Sequence, residues 1–233
     1  MITINELSAR IAGRLLLDHA SVSLPTGIKA GLVGRNGAGK TTALKSIIGI
    51  LPPRQGRLWL DGEDLSGLAP QMIPRQGIGY VPQGRRLFKE LTVRENLEVG
   101  LMTRKSGKVA LDRALSYFPA LHERMNQLSG TLSGGEQTML AIARALCIEP
   151  KVIMLDEPTE GLMPSMIATI RDVMTRLRSD GVAVLLVEQR IDAVLPVADR
   201  IAFMDHGMVQ GEYTVDAVRT DPGLVHKYLG VGH

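Results

Sequence analysis

Apolar and polar positions along the chain change period several times, and the changes outline a fold. Met1 to Leu7 and Ala20 to Leu24 alternate as half-buried strands do, and Pro25-Thr26-Gly27 reads as the turn into the next apolar run. That run, Ala30 to Val33, is continuous and short, which suits a strand covered on both faces. Thr42 to Ile48 switches to helical spacing, and Pro52-Pro53 closes the helix. Gly56 to Asp61 is another short strand, ended by an Asp61-Gly62 turn. A helix is predicted over Ala69 to Arg75 and a strand over Ile78 to Val81, which breaks at Pro82-Gln83-Gly84.

From Thr92 to about Cys147 the strand signals stop, and amphipathic helical patterns are interrupted at Ser106-Gly107, Pro119 and Ser129 to Gly135. Strands return at Val152 to Leu155, Val182 to Val187 and Ile201 to Met204, with a helix over Pro164 to Ser179 between the first two. Thr214 to Leu229 reads as short helices. The expected architecture is α/β: a mixed, mainly parallel core sheet, an N-terminal antiparallel β subdomain, and a helical subdomain inserted at about residues 89–149. With no internal repeat or low-complexity tract, residues 1–233 are expected to form one domain.

Composition changes this picture little. The 233 residues are 45% hydrophobic and 22% charged, ordinary for a globular α/β chain. A net charge of +3 is too small to argue for a nucleic-acid partner. The one cysteine, Cys147, has no partner for a disulfide within the chain and falls in an apolar helical stretch, so a small buried residue in a reducing compartment is expected. No apolar run approaches the ~18 residues that span a bilayer, so a membrane role has to come through partners.

The chemistry begins with GRNGAGKTT, residues 34–42. Gly34, Gly39, Lys40 and Thr41 carry the phosphate-loop spacing. Glycines at 34, 37 and 39 let the backbone curl until successive N–H groups point at phosphate oxygens, and Lys40 adds a point charge. Thr41 is placed to ligate magnesium, and the helix that follows directs its dipole at an anion. Gly34, Arg35, Asn36, Gly37, Ala38, Gly39, Lys40, Thr41 and Thr42 together form the expected ATP-binding segment of a P-loop nucleotide hydrolase.

The second station is Val152 to Glu157, VIMLDE. Four apolar residues make a buried strand, and its two carboxylates emerge at the C-terminal end, where open parallel sheets bind ligands. Asp156 is placed for magnesium, and Glu157 for general-base activation of the attacking water. The third is Leu132-Ser133-Gly134-Gly135-Glu136, directly before a long helix. Ser133 reads as an N-cap, and the paired glycines leave the helix N-terminus open to a second anion.

These three stretches, with Gln83 between them, resemble the ATP-binding cassette ATPases in order and spacing over essentially the whole chain. The resemblance implies ATP and magnesium as cofactors. It gives Gln83 a place beside Thr41 and Asp156 at the metal, and Gln189 a place at the γ-phosphate. It also implies head-to-tail pairing of two cassettes, in which Leu132 to Glu136 of one cap the nucleotide held by Lys40 of the other. YVPQGRRLF, LTVRENL, DEPTEGL and LLVEQ are most similar to subunits of importers for branched-chain amino acids, urea or short amides. Membrane-spanning permease subunits and a peripheral position on the cytoplasmic face of the membrane follow as implications.

Three positions depart from the wider family. Gln189 stands where a switch histidine is usual, and Met163 where an aspartate usually ends the loop after Glu157. Ala12 aligns with the aromatic residue expected on adenine. Two other readings share the motifs: a soluble cassette acting on ribosomes or DNA, and a nucleotide-sensing scaffold without turnover. The first usually has two cassettes or a long coiled coil, and intact Asp156 and Glu157 speak against the second. Asp205-His206-Gly207 reads as a hairpin turn, and Arg85-Arg86 as a loop pair facing nucleotide, partner or solvent.

Overall fold

The computed structural model describes residues 1–11, 14–103 and 107–230. Strands β1 (Ile2–Ile11) and β2 (Arg14–Leu24) pair antiparallel, and β3 (Lys29–Val33) leads through the glycine loop into α1 (Lys40–Ile47). Then β4 (Gln55–Leu60), β5 (Glu63–Asp64) and the single-turn helix α2 (Ile73–Gln76) precede β6 (Ile78–Val81). The helical insertion is α3 (Val93–Leu101), α4 (Gly107–Tyr117), α5 (Pro119–His122) and α6 (Gly134–Leu146). The chain continues through β7 (Val152–Asp156), α7 (Pro164–Ser179), β8 (Ala183–Glu188), α8 (Ile191–Val194), β9 (Arg200–Asp205), β10 (Met208–Thr214), α9 (Val215–Thr220) and α10 (Pro222–Leu229).

The strands form two sheets, ordered β2-β1-β4-β5 and β10-β9-β3-β8-β7-β6. The second is parallel except for its edge strand β10. Period-two alternation sends Val152 and Met154 of β7 to one face, against Leu44 and Ile47 of α1 and the antiparallel sheet. Ile153 and Leu155 go to the other, where α7 and the helical insertion cover them. Apolar cover on both sides is why β3, β7 and β8 read as unbroken apolar runs. Cys147 is buried there, and burial pushes its thiol up to about 12, which keeps it an inert packing residue.

Several predicted boundaries move for identifiable reasons. β1 extends past Leu7, and β2 starts well before Ala20, because the pairing carries register shifts between Ile4 and Leu7 and between Leu7 and Ala9. Each bulge interrupts the alternation that sequence reading relies on. The helix expected over Ala69 to Arg75 is a 3-10 turn, Pro70–Met72, followed by α2, since Pro74 has no N–H with which to continue a ladder from Pro70. α1 starts at Lys40, two residues before its apolar pattern does. Asp61 and Gly62 both have positive φ, 51° and 86°, as a two-residue hairpin turn demands. His206-Gly207 makes the expected turn between β9 and β10, while β10 itself, half exposed and bulged at Gln210, lacks a clear strand pattern.

The insertion is built around α6. Helices α3 and α6 each start in a capping box, Thr92 with Glu95 and Ser133 with Glu136. They cross so closely at Gly100 that a β-carbon there would lie 2.4 Å from the Arg144 carbonyl oxygen and 3.0 Å from the Cys147 Cβ. Gly100→Ala gains up to about 1 kcal/mol of helix propensity. It also forces α6 backbone to move, an overpacking cost of about 1–3 kcal/mol, and the second effect wins. Calorimetry should therefore show a Tm lowered by several degrees; a Tm equal to or above the parent's would mean that the two helices part without cost.

Candidate functional site

At the C-terminal edge of the parallel sheet the chain turns repeatedly through glycine. A β-carbon on Gly34 would sit 2.3 Å from the Met204 carbonyl oxygen, so only glycine lets the loop leave β3 against the end of β9. Gly39 precedes α1 with φ of 102° and offers no side-chain cap, which leaves the first N–H groups of that helix to an external acceptor. The Lys40 ammonium, 4% exposed, donates to the carbonyls of Gly34 at 2.7 Å and Arg35 at 3.0 Å. Burial lowers its pKa, opposed by Glu157, Asp156 and Glu188 in that order. Arg35 sends its side chain away from the loop: its Nε donates to the Leu229 carbonyl at 2.8 Å and ties down the end of α10. Asn36 and Gly37 are exposed, and Ala38 is buried.

Strand β7 delivers both carboxylates to this edge. Asp156, 1% exposed, accepts hydrogen bonds from the Thr41 hydroxyl at 3.2 Å and the Tyr80 hydroxyl at 3.3 Å. Burial pushes its carboxyl above the usual range, against the pull of Thr41, Tyr80 and Lys40. The Tyr80 phenol is pushed up in turn, by burial and then by the adjoining carboxylate. Glu157 bends away with a positive φ of 51°, its N–H on the Val187 carbonyl at 2.9 Å. Its Oε1 lies 3.8 Å from the Lys40 ammonium. Its Oε2 accepts from the amides of Gln189 at 2.7 Å and Gln83 at 3.1 Å, and Gln83 also donates to Glu160 at 3.0 Å.

Lys40, Thr41, Gln83, Asp156, Glu157 and Gln189, distant in sequence, thus meet at one edge of the parallel sheet. Thr42 is half-buried behind them on α1. Gln83 binds Glu157 and Glu160 through its Nε2, and Asp156 takes its hydrogen bonds from Thr41 and Tyr80. The stretch from Leu132 to Glu136 is occupied differently. Leu132 is buried, and Ser133 exchanges capping bonds with Glu136, which also pairs with Arg124 at 2.9 Å. A β-carbon on Gly135 would approach the Met166 methyl to 2.5 Å, so that glycine has a packing reason within this chain as well. Ser133 and Gly134 are exposed at the start of α6. Ala12, expected near adenine, lies outside the described residues.

Sequence reading missed Tyr80, Thr159, Glu160 and Glu188. Tyr80 carried one faint signal, a phenol at the end of an apolar strand. Arg85 donates to the Thr138 hydroxyl at 2.9 Å, and Arg144 to the Arg86 carbonyl at 2.8 Å, so the basic pair belongs to the seam between the segment after Gln83 and α6.

A glycine loop around a buried lysine, facing two carboxylates on the next strand but one, is the layout of a nucleotide site, and residues 17–160 match the ABC transporter family. The chain belongs to that family. Over 232 residues the cassette is 41% identical to the high-affinity branched-chain amino acid transport ATP-binding protein BraG of Pseudomonas aeruginosa, covering 99% of this chain and 100% of the relative. It is 34% identical to the lipopolysaccharide export system ATP-binding protein LptB of Haemophilus influenzae, covering 99% and 97%. Of solved structures, the ADP conformation of MJ1267, an ATP-binding cassette of an ABC transporter, gives a TM-score of 0.86 at 27% identity, covering 99% of both chains. The dimeric bacterial cassette MJ0796 gives 0.81 at 27%, covering 92% of this chain and 99% of that one. The protein is therefore an ATP-binding cassette ATPase, a transporter subunit with the fold expected of one.

The raised pKa of Asp156 has a consequence for stability. A carboxyl whose folded pKa exceeds its unfolded value favours folding when protonated, and that advantage is lost as pH rises through the folded value. Asp156→Asn should therefore melt higher than the parent at neutral pH without nucleotide, with the gap closing as pH falls to the ordinary carboxylate range. Melting curves that run parallel at all pH values would remove the premise.

Proposed function

We propose that this cassette hydrolyses MgATP to drive a membrane importer, with branched-chain amino acids or urea and short amides as the transported class. The observation that carries hydrolysis is Glu157, a carboxylate fixed by two amide donors beside the phosphate-loop lysine. What favours the amino-acid class is the 41% match to BraG, set against 34% to LptB at the same coverage.

Magnesium suits the donor set. Two buried carboxylates, Asp156 and Glu157, face Lys40 as the buried cation beside them, so the protein under-neutralises its own site. Thr41 and Asp156 bring two oxygens together, and Gln83 has an amide oxygen to add. No cluster of three or more His, Cys, Asp or Glu ready to hold a metal occurs among the described residues, which fits an ion that keeps waters and phosphate oxygens as its other ligands. A magnesium ion held there would supply charge withdrawal from the phosphate oxygens.

The chain's own groups do the rest. Lys40 exchanges its two carbonyl partners for phosphate oxygens, and the loop amides and the open N-terminus of α1 hold the remainder. Glu157 takes the proton of the attacking water. Gln83 and Gln189 hold the base in place, and Gln189 also donates to the γ-phosphate without carrying charge. Ser133 to Gly135 serve a second cassette, of the same or another chain, through the N-terminus of α6. No helix among the described residues is long and apolar enough to cross a membrane. In this reading permease subunits supply the span, and the cassette sits on their cytoplasmic side. The segment after Gln83 is the coupling surface: half-exposed Phe88 stands on it, stapled to the helical insertion by the fully buried Asn96.

Two substitutions test the reading. Glu157→Gln keeps the shape and loses the basicity, so phosphate release should fall by about 10²–10⁴-fold. ATP binding should persist and, by light scattering, hold cassettes together as dimers. Turnover near the parent rate would exclude Glu157 as the base, and a phosphate-free assay of the parent itself would favour the non-hydrolysing scaffold. Gln189→His should add an ionisation near ~6.5 to the pH profile of turnover, which the parent lacks; identical profiles at equal activity would place residue 189 away from the γ-phosphate.

A further inference from the structure

Behind Glu157 lies a carboxylate that the nucleotide site does not need. Glu188 ends β8, is 5% exposed, and stands in register with Val33, where the phosphate loop begins. Its Oε1 accepts two hydrogen bonds from one residue, the hydroxyl of Thr159 at 2.7 Å and its N–H at 3.2 Å. Thr159 is buried as well, two residues beyond Glu157. The contacts run in both directions between two short segments. Gln189, next to Glu188, donates to Glu157 at 2.7 Å, while Thr159 donates to Glu188. The Glu157 N–H on the Val187 carbonyl at 2.9 Å completes the exchange.

The backbone shows why a clasp is needed. Glu157 has a φ of 51°, a left-handed conformation that costs a residue with a side chain on the order of 1–3 kcal/mol and persists only where its surroundings enforce it. Stability alone does not account for the means. Burial pushes the Glu188 carboxyl up, against the pull of Thr159, and Glu157 and Glu160 add repulsion. An apolar residue of similar volume would fill the same space without that desolvation cost. What it could not do is accept two hydrogen bonds at one point of the loop.

We propose that Glu188 is a positioning residue for hydrolysis: by holding Thr159 it fixes the loop on which Glu157 stands, and so aims the Glu157 carboxylate. This rests on Glu157 acting as the base. Thr159→Val removes the hydroxyl and keeps the shape, Thr159→Ser keeps the donor, and Glu188→Gln keeps an acceptor oxygen without the charge. In the full chain, Thr159→Val should lower kcat by about tenfold or more through a misplaced base. Its Kd for a fluorescent ATP analogue with magnesium should stay within about twofold, and kcat for Thr159→Ser and Glu188→Gln within about threefold, of the parent. Without nucleotide, the amides of residues 157–162 should exchange hydrogen about tenfold faster in Thr159→Val than in the parent or Thr159→Ser.

An unchanged kcat in Thr159→Val overturns the proposal. So does a loss of kcat matched by an equal loss of nucleotide affinity, which would mark a general disturbance of the site, and so does failure of both conservative variants to restore turnover. If the parent releases no phosphate, the hydrolytic reading fails on its own account. The exchange measurement still decides the clasp, because equal exchange in parent and Thr159→Val shows that Glu188 does not hold the loop.

Discussion

A parallel sheet covered on both faces has no place for charge along its strands, so charge collects where the strands end. Here β3, β7 and β8 are buried along their whole length, and Lys40, Asp156, Glu157 and Glu188 crowd the edge at which they stop. The crowding is one-sided. Lys40 satisfies its ammonium on two backbone carbonyls and one nearby carboxylate, while the carboxylates depend on neutral donors: Thr41 and Tyr80 for Asp156, Gln83 and Gln189 for Glu157, Thr159 for Glu188. Neutral donors orient a carboxylate without cancelling its charge. Such a site is short of positive charge, the electrostatic setting that the proposed magnesium nucleotide would complete.

The same logic sets function against stability at single residues. Asp156 and Glu188 are both held above the ordinary carboxylate range, with burial as the largest cause. Each therefore makes the folded chain less stable at neutral pH than a neutral isostere would. The apolar layers on either face of the sheet offset that cost, with α1 on one side and α7 and α6 on the other.

The helical insertion is joined to this edge through a narrow seam. Gln83 reaches Glu157 and Glu160 from one end of the segment 82–91, and the other end is pinned by Asn96, whose amide engages the Phe88, Leu91 and Thr92 carbonyls and the Ser129 hydroxyl. Arg85 and Arg144 add bonds from the same segment to α6. A displacement of Phe88 at the surface therefore has a covalent and hydrogen-bonded route to Glu157. At the opposite border, Arg35 ties the phosphate loop to α10, and Tyr228 of that helix stacks on Phe203 of β9 at 4.8 Å. The loop is braced from the C-terminal side by residues nearly two hundred positions away.

By itself the sequence determined the outer parts of this design. GRNGAGKTT, VIMLDE and LSGGE are short-range patterns whose chemistry depends on local backbone curl and strand ends, so residue type and spacing were enough to find them. The α/β rhythm was legible for the same reason, since β3, β7 and β8 are buried on both faces and α7 has one clean apolar stripe. Bulged β1 and β2, and a helix split by Pro70 and Pro74, were misjudged where local irregularity erased the period. Only the tertiary structure decided which polar residues meet. Tyr80 on Asp156, Gln83 and Gln189 on one oxygen of Glu157, Arg35 on α10, and Thr159 on Glu188 are pairings between strand ends and loops. No local pattern encodes them, because they arise from the order in which the sheet sets its strands side by side.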